Sequence, residues 1–176
     1  IEPPAAIRAA LSNPANESPR WEAGVERNPL RIVASGMTAL RAAARWCLDQ
    51  GIEPRVLGDH LQGEASVLAR GHAEQAVQLA KSGRPVCLLS GGETSVTLGP
   101  EGGPGHGPSR GKGGRNSEYT LALAIALDGH PAIWALAADT DGIDGSGGHS
   151  GAQVDPHTLA RARQAGLNAG DFLRRH

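Results

Sequence analysis

The sequence predicts an α/β fold, a three-layer α/β/α arrangement around a parallel or mixed sheet. Three observations predict it: apolar runs of strand length alternate with apolar stripes at helical spacing, a glycine closes each stripe, and glycine-rich stretches begin where two of the runs end. In such folds ligands bind beyond the carboxyl ends of strands, so those glycine-rich stretches are the places to look for a site.

Residues 1–29 carry Pro3, Pro4, Pro14, Pro19 and Pro29 among polar residues and read as a linker or tail, with a short helix at Ile7 to Leu11. A domain is expected over 30–176. Leu30 to Ser35 suits a buried strand, and Met37, Leu40, Ala44, Cys47 and Leu48 recur at helical spacing until Gly51 stops the helix. Pro54 to Leu57 repeats the strand signal. Ala65, Leu68, Ala69, Ala73, Ala76, Val77 and Ala80 repeat the helical stripe before Gly83. Pro85 to Ser90 is a continuous apolar run without alternation, which fits a central strand covered on both faces, and it ends at Gly91-Gly92.

Thr94 to Leu98 alternates as a short exposed strand does, and 99–114 is too rich in glycine and proline for regular structure. A helix is expected from Ser117 to Asp128, with Asn116 as N-cap and Gly129 beyond its C-terminus. Ala132 to Ala138 reads as another buried strand. Asp155 and Pro156 then set an N-cap acid before an N1 proline, opening a helix that runs to Gly166.

At 176 residues the chain is long enough for one domain with a full core. Its 17 Lys and Arg balance 18 Asp and Glu for a net charge of -1, so no field gathers nucleic acid or an anionic membrane surface. Cys47 and Cys87, in apolar contexts without CxxC spacing, read as buried reduced thiols, and with no address visible the expected compartment is the cytoplasm. No apolar stretch approaches the ~18 residues that a membrane span needs. Trp21, Trp46 and Trp134 are expected in the core. Glycine is the anomaly: the 25 glycines concentrate in 91–114 and 142–151, which suggests backbone brought close to a ligand.

Three constellations can carry chemistry. Ser90-Gly91-Gly92-Glu93-Thr94 follows a strand run, and as a tight turn its N–H groups would hold an anion while Glu93 orients a hydroxyl or a cation's water; a plain strand-to-hairpin turn explains these residues equally well. Gly113-Gly114-Arg115-Asn116-Ser117-Glu118 opens a helix, where N–H groups, the helix dipole and a guanidinium suit a transferring phosphoryl group. Its simpler reading is an arginine solvated or paired with Glu118. Asp139-Thr140-Asp141-Gly142-Ile143-Asp144 places three carboxylates in six residues, a density that calls for a cation such as magnesium on nucleotide phosphates or for a base that accepts a hydroxyl proton; an Asp-rich turn is the alternative.

Other patterns fail. Gly107 to Lys112 is one residue short of a Walker A loop and precedes no immediate helix, no GxGxxG occurs, and Ile143 breaks EF-hand spacing. The seven histidines lack ligand spacing, so no zinc is expected, and only His149 lies near a candidate site.

Taken together, LLSGGETSVTL (88–98), GGRNSEYTLALA (113–124) and ADTDGIDGSGGHSGAQVD (138–155) resemble the successive signatures of the MOFRL family, and Leu30 to Ala80 resembles the region that precedes them in glycerate kinases. The resemblance implies ATP-dependent phosphorylation of D-glycerate at its 2-hydroxyl, with Arg115 and Asp141 at the positions of the catalytic arginine and aspartate. It further implies that this chain is the C-terminal portion of a two-domain enzyme whose preceding Rossmann-like domain supplies a catalytic lysine, so that these residues alone have little or no activity.

On this reading Ser90, Gly91, Gly92, Glu93, Thr94, Gly114, Asn116, Glu118 and Thr140 bind substrate or phosphate, and Asp141 and Asp144 hold magnesium. The ligands are ATP, Mg2+ and glycerate, without nucleic acid or membrane, and a homodimer is admitted. Members of the family are also labelled hydroxypyruvate reductases, which leaves hydride transfer from NAD(P)H as one rival and a non-catalytic ligand-binding domain as another. The stretch from Gly99 to Lys112 is longer than the family's usual turn before GGRN.

Overall fold

The computed structural model describes residues 3–17, 29, 31–98 and 113–175. The chain divides into two units, 1–33 and 34–176. In the first, α1 (Ala5–Leu11) precedes a 3-10 turn at Pro14–Asn16, whose N-cap Asn13 accepts from the Ala15 N–H. The glycine-rich stretch 99–112 and residues 18–28 of the expected linker, Trp21 among them, lie outside the described residues.

The second unit alternates helix and strand. It runs α2 (Gly36–Asp49), β1 (Glu53–Glu64), α3 (Ala65–Ala80), β2 (Val86–Ser95), α4 (Arg115–Leu127), β3 (Ala135–Ala138), β4 (Gly151–Val154), α5 (Thr158–Gln164) and α6 (Ala169–Arg175). β1 and β2 pair in parallel through the α3 crossover, and β3 and β4 pair antiparallel. The α/β class with a parallel sheet is therefore as the sequence predicts, and β3 and β4 form a separate two-stranded antiparallel sheet.

α2 starts where Ser35 accepts a hydrogen bond from Thr38 N at 3.2 Å, and it ends before Gly51, whose φ of +73° is the left-handed conformation that glycine adopts without strain. α3 carries Ala65, Ala69 and Ala73 at four-residue spacing, all buried, so its backbone lies close against α4. Around that contact the core gathers Ala122, Leu123, Ala124 and Leu127 of α4 with Val154 of β4 and Leu159 of α5.

Several expectations are corrected. Residues 31–35 form no strand: Ile32 and Val33 are exposed, and among the described residues no neighbouring strand takes up their hydrogen bonds. β1 extends well past Leu57, because two register shifts between Val56 and Leu61 let the chain stay paired through Gly58. β2 continues to Ser95, whereas 96–98 are irregular.

β3 is shorter than expected and alternates, with Leu136 73% exposed, rather than being buried on both faces. Trp46 and Trp134, 61% and 66% exposed, are not core residues. α5 begins at Thr158 rather than at Pro156. Asp155 nonetheless caps its approach, accepting from His157 N at 2.8 Å and pairing with Arg161 at 3.0 Å. No helix among the described residues is long and apolar enough to cross a membrane.

Candidate active site

Arg115 is the first residue of α4, and its guanidinium donates to Glu93 Oε1 on β2. That hydrogen bond, opposed by burial and reinforced by the charges of Glu93, Asp139 and Asp144, raises the arginine's pKa above its ordinary value. A helix mouth, a strand end and the loop between β3 and β4 thus meet at one guanidinium. Both partners in the ion pair are substantially exposed, so the pair holds geometry more than it adds stability, and an anionic ligand can exchange with Glu93.

The twelve-residue loop 139–150 closes the antiparallel pair. Asp139 N donates to Ser150 O at 2.7 Å, and Asp144 N donates to His149 O at 2.8 Å. Thr140 and Asp141 are exposed on this loop, and Asp141 Oδ1 accepts from Ile143 N at 3.1 Å in an Asx-type turn. Asp139 was part of the acidic cluster but was not singled out from sequence. Its place directly after the β3 run is the signal that points to it.

Asp144 is the inward-facing member of the cluster and has no solvent exposure. Its Oδ1 accepts from Asn116 N at 3.0 Å and Asn116 Nδ2 at 3.4 Å, and its Oδ2 from Ser117 N at 2.8 Å and Ser117 Oγ at 2.6 Å. Burial pushes this carboxyl upward, but the hydrogen bonds from Ser117 and Asn116 outweigh it and hold the pKa below the usual carboxylate value. Two glycines make the approach possible: a Cβ on Gly114 would lie 2.3 Å from Asp144 Cγ, and one on Gly145 would lie 2.3 Å from Gly113 O.

Three sequence expectations change here. Asn116 is not the N-cap, which is Gly114, but sits inside the helix. The N–H groups of Asn116 and Ser117, expected to face phosphate, are taken by Asp144. A carboxylate offers about four acceptor sites, and Asp144 has four donors, so it does not fit a metal ligand. Asp139 and Asp141 do fit magnesium chemistry, which needs only one or two carboxylates beside substrate phosphates. Among the described residues no three acidic, histidine or cysteine side chains come together to enclose an ion by themselves.

Ser90 to Thr94 form no tight turn. They lie within β2, with Gly92 opposite Leu61, Glu93 opposite Gln62 and Thr94 opposite Gly63. Gly92 has φ +139°, and a Cβ there would stand 2.2 Å from Leu61 O, so strand proximity accounts for this glycine without a phosphate. What the segment contributes to the site is Glu93. Glu118 is buried in the first turn of α4. An apolar crevice lined by Leu127, Ile133, Val154 and Leu159 lies at the other end of α4 from Arg115.

With this geometry in place, the comparisons with known proteins converge. Residues 86–176, more than half of the chain, match the MOFRL family. An Agrobacterium vitis protein named "Putative hydroxypyruvate reductase" is 43% identical over all of this chain and 39% of its own length. A Pyrococcus horikoshii protein named glycerate 2-kinase is 31% identical over 82% of this chain and 32% of its own length. A solved glycerate kinase structure from Thermotoga maritima superposes with a TM-score of 0.70 at 25% identity, covering 83% of this chain and 34% of that one. The architecture is thus that of an α/β enzyme domain with glycerate kinases among its relatives. The chain belongs to the MOFRL family, and it spans about two fifths or less of the length of these relatives.

Proposed function

We propose that this chain forms part of a cytoplasmic glycerate 2-kinase that transfers the γ-phosphoryl group of ATP to the 2-hydroxyl of D-glycerate. The observation that carries the reading is the meeting of Arg115, Glu93 and the Asp139–Asp144 loop at the mouth of α4. Phosphoryl transfer needs positioning and charge stabilisation more than covalent chemistry from the protein. The Arg115 guanidinium leaves Glu93 to neutralise charge on the transferring group, and Asp141 accepts the hydroxyl proton or, with Asp139, would hold magnesium. Magnesium would supply charge neutralisation there. Thr140 lies on the loop that carries Asp139 and Asp141, and Gly114 is the N-cap of the helix that carries Arg115.

The test is the full-length protein, incubated with Mg-ATP and D-glycerate, with 2-phosphoglycerate followed by phosphorus NMR. Arg115→Ala lowers turnover by at least ~10²-fold if the guanidinium touches the transferring group. A near-normal rate removes it from the mechanism. The name of the Agrobacterium relative favours a second reading, reduction of hydroxypyruvate. Oxidation of NADH by hydroxypyruvate without ATP would select that reading, whereas ATP-dependent product formation selects the kinase.

A further inference from the structure

We infer that Asp144 is a positioning residue: its carboxylate locks the first turn of α4 to the β3–β4 loop and so sets where the Arg115 guanidinium stands. The inference rests on the kinase reading of the same site.

α4 has no side-chain cap of its own, since its N-cap is Gly114. A helix start leaves N–H groups without intrahelical partners. Asp144, distant in sequence, satisfies two of them at Asn116 and Ser117 and takes both side-chain donors of the same residues. The lock is doubled in the backbone, where Ser146 N donates to Gly113 O at 3.1 Å. Arg115 lies between Gly113 and Asn116, so both of its flanks are held by the loop that carries Asp139 and Asp141. A carboxylate without exposure whose acceptor sites are all used has nothing left for a cation or a substrate. Its effect reaches the reaction only through Arg115 and through the loop.

Asp144→Asn keeps the size but turns an amide donor toward Ser117 or Asn116. Ser117→Ala removes one donor and leaves the rest, which keeps a test available if Asp144→Asn does not fold. In the full-length protein, with rates normalised to folded protein, kcat should fall by up to ~100-fold in Asp144→Asn and less in Ser117→Ala, with the Mg2+ concentration for half-maximal rate unchanged. Amide hydrogen exchange over 114–118 should quicken in Asp144→Asn.

A raised Mg2+ requirement, with rate restored by excess Mg2+ or Mn2+, would make Asp144 a metal ligand and overturn the inference. So would an unchanged kcat, or unchanged exchange over 114–118. If the unsubstituted protein phosphorylates no glycerate, the kinase reading fails by itself, and the exchange measurement alone still decides whether the lock exists.

Discussion

Gly92 and Asp144 differ in chemistry, yet each is explained by what stands against it from another segment. Gly92 combines a positive φ with a neighbour strand too close for any side chain, so Gly92→Ala must move β1 away from β2 or strain the backbone. Such positions cost on the order of 1–3 kcal/mol when filled, and urea denaturation should show a lowered midpoint with little change in slope. A midpoint equal to that of the unsubstituted protein would mean that the two strands separate freely at Leu61. Arg115 was readable as a candidate site residue from its place at the start of a helix, and its charge partners were not. Glu93 lies 22 residues away and Asp139 follows another strand, so only the fold brings them to the guanidinium.

At the scale of elements, the contact between α3 and α4 combines an alanine stripe with one polar pair. His72 Nδ1 and the Tyr119 hydroxyl are 2.7 Å apart, with their rings edge to face. Burial lowers the His72 pKa and pushes that of Tyr119 up to about 12, so both shifts favour the neutral pair. Because the folded chain binds the histidine proton less readily than the unfolded chain, the stability tied to His72 is fully present above its unfolded pKa of ~6.5 and is lost as pH falls through and below that value. Thermal unfolding between pH 7.5 and 5 should show this loss, and His72→Gln should flatten that part of the profile. A profile identical in the variant would detach the pH dependence from this pair. The helices up to Gly166 were readable in the sequence, since three-to-four-residue spacing and closing glycines are local signals, whereas α6 was not foreseen. The strands were less so: an extended run becomes a strand only when a partner lies alongside; among the described residues 31–35 have none, whereas 58–64 and 151–154 do.

Across the whole molecule, the charges of the site come from one helix, one strand end and one loop, and the resemblance to glycerate kinases implies a lysine from a preceding domain. The 176 residues by themselves should therefore phosphorylate glycerate far more slowly than the longer protein under the same conditions, and equal turnover would show that the site needs no further group. Trp46, Trp134 and Leu136 stand exposed although their apolar character placed them inside, because hydrophobicity records a tendency to be covered and not by what. The sequence alone determined the α/β class, the helices with their glycine stops, the family and the residues Arg115 and Asp141 as candidates, all of which depend on local periodicity or ordered motifs. Tertiary structure alone decided that SGGET is a strand, that Glu93 holds Arg115, and that Asp144 caps α4. Those are contacts between segments far apart in the chain, and no residue's own neighbours in sequence encode which distant group will meet it.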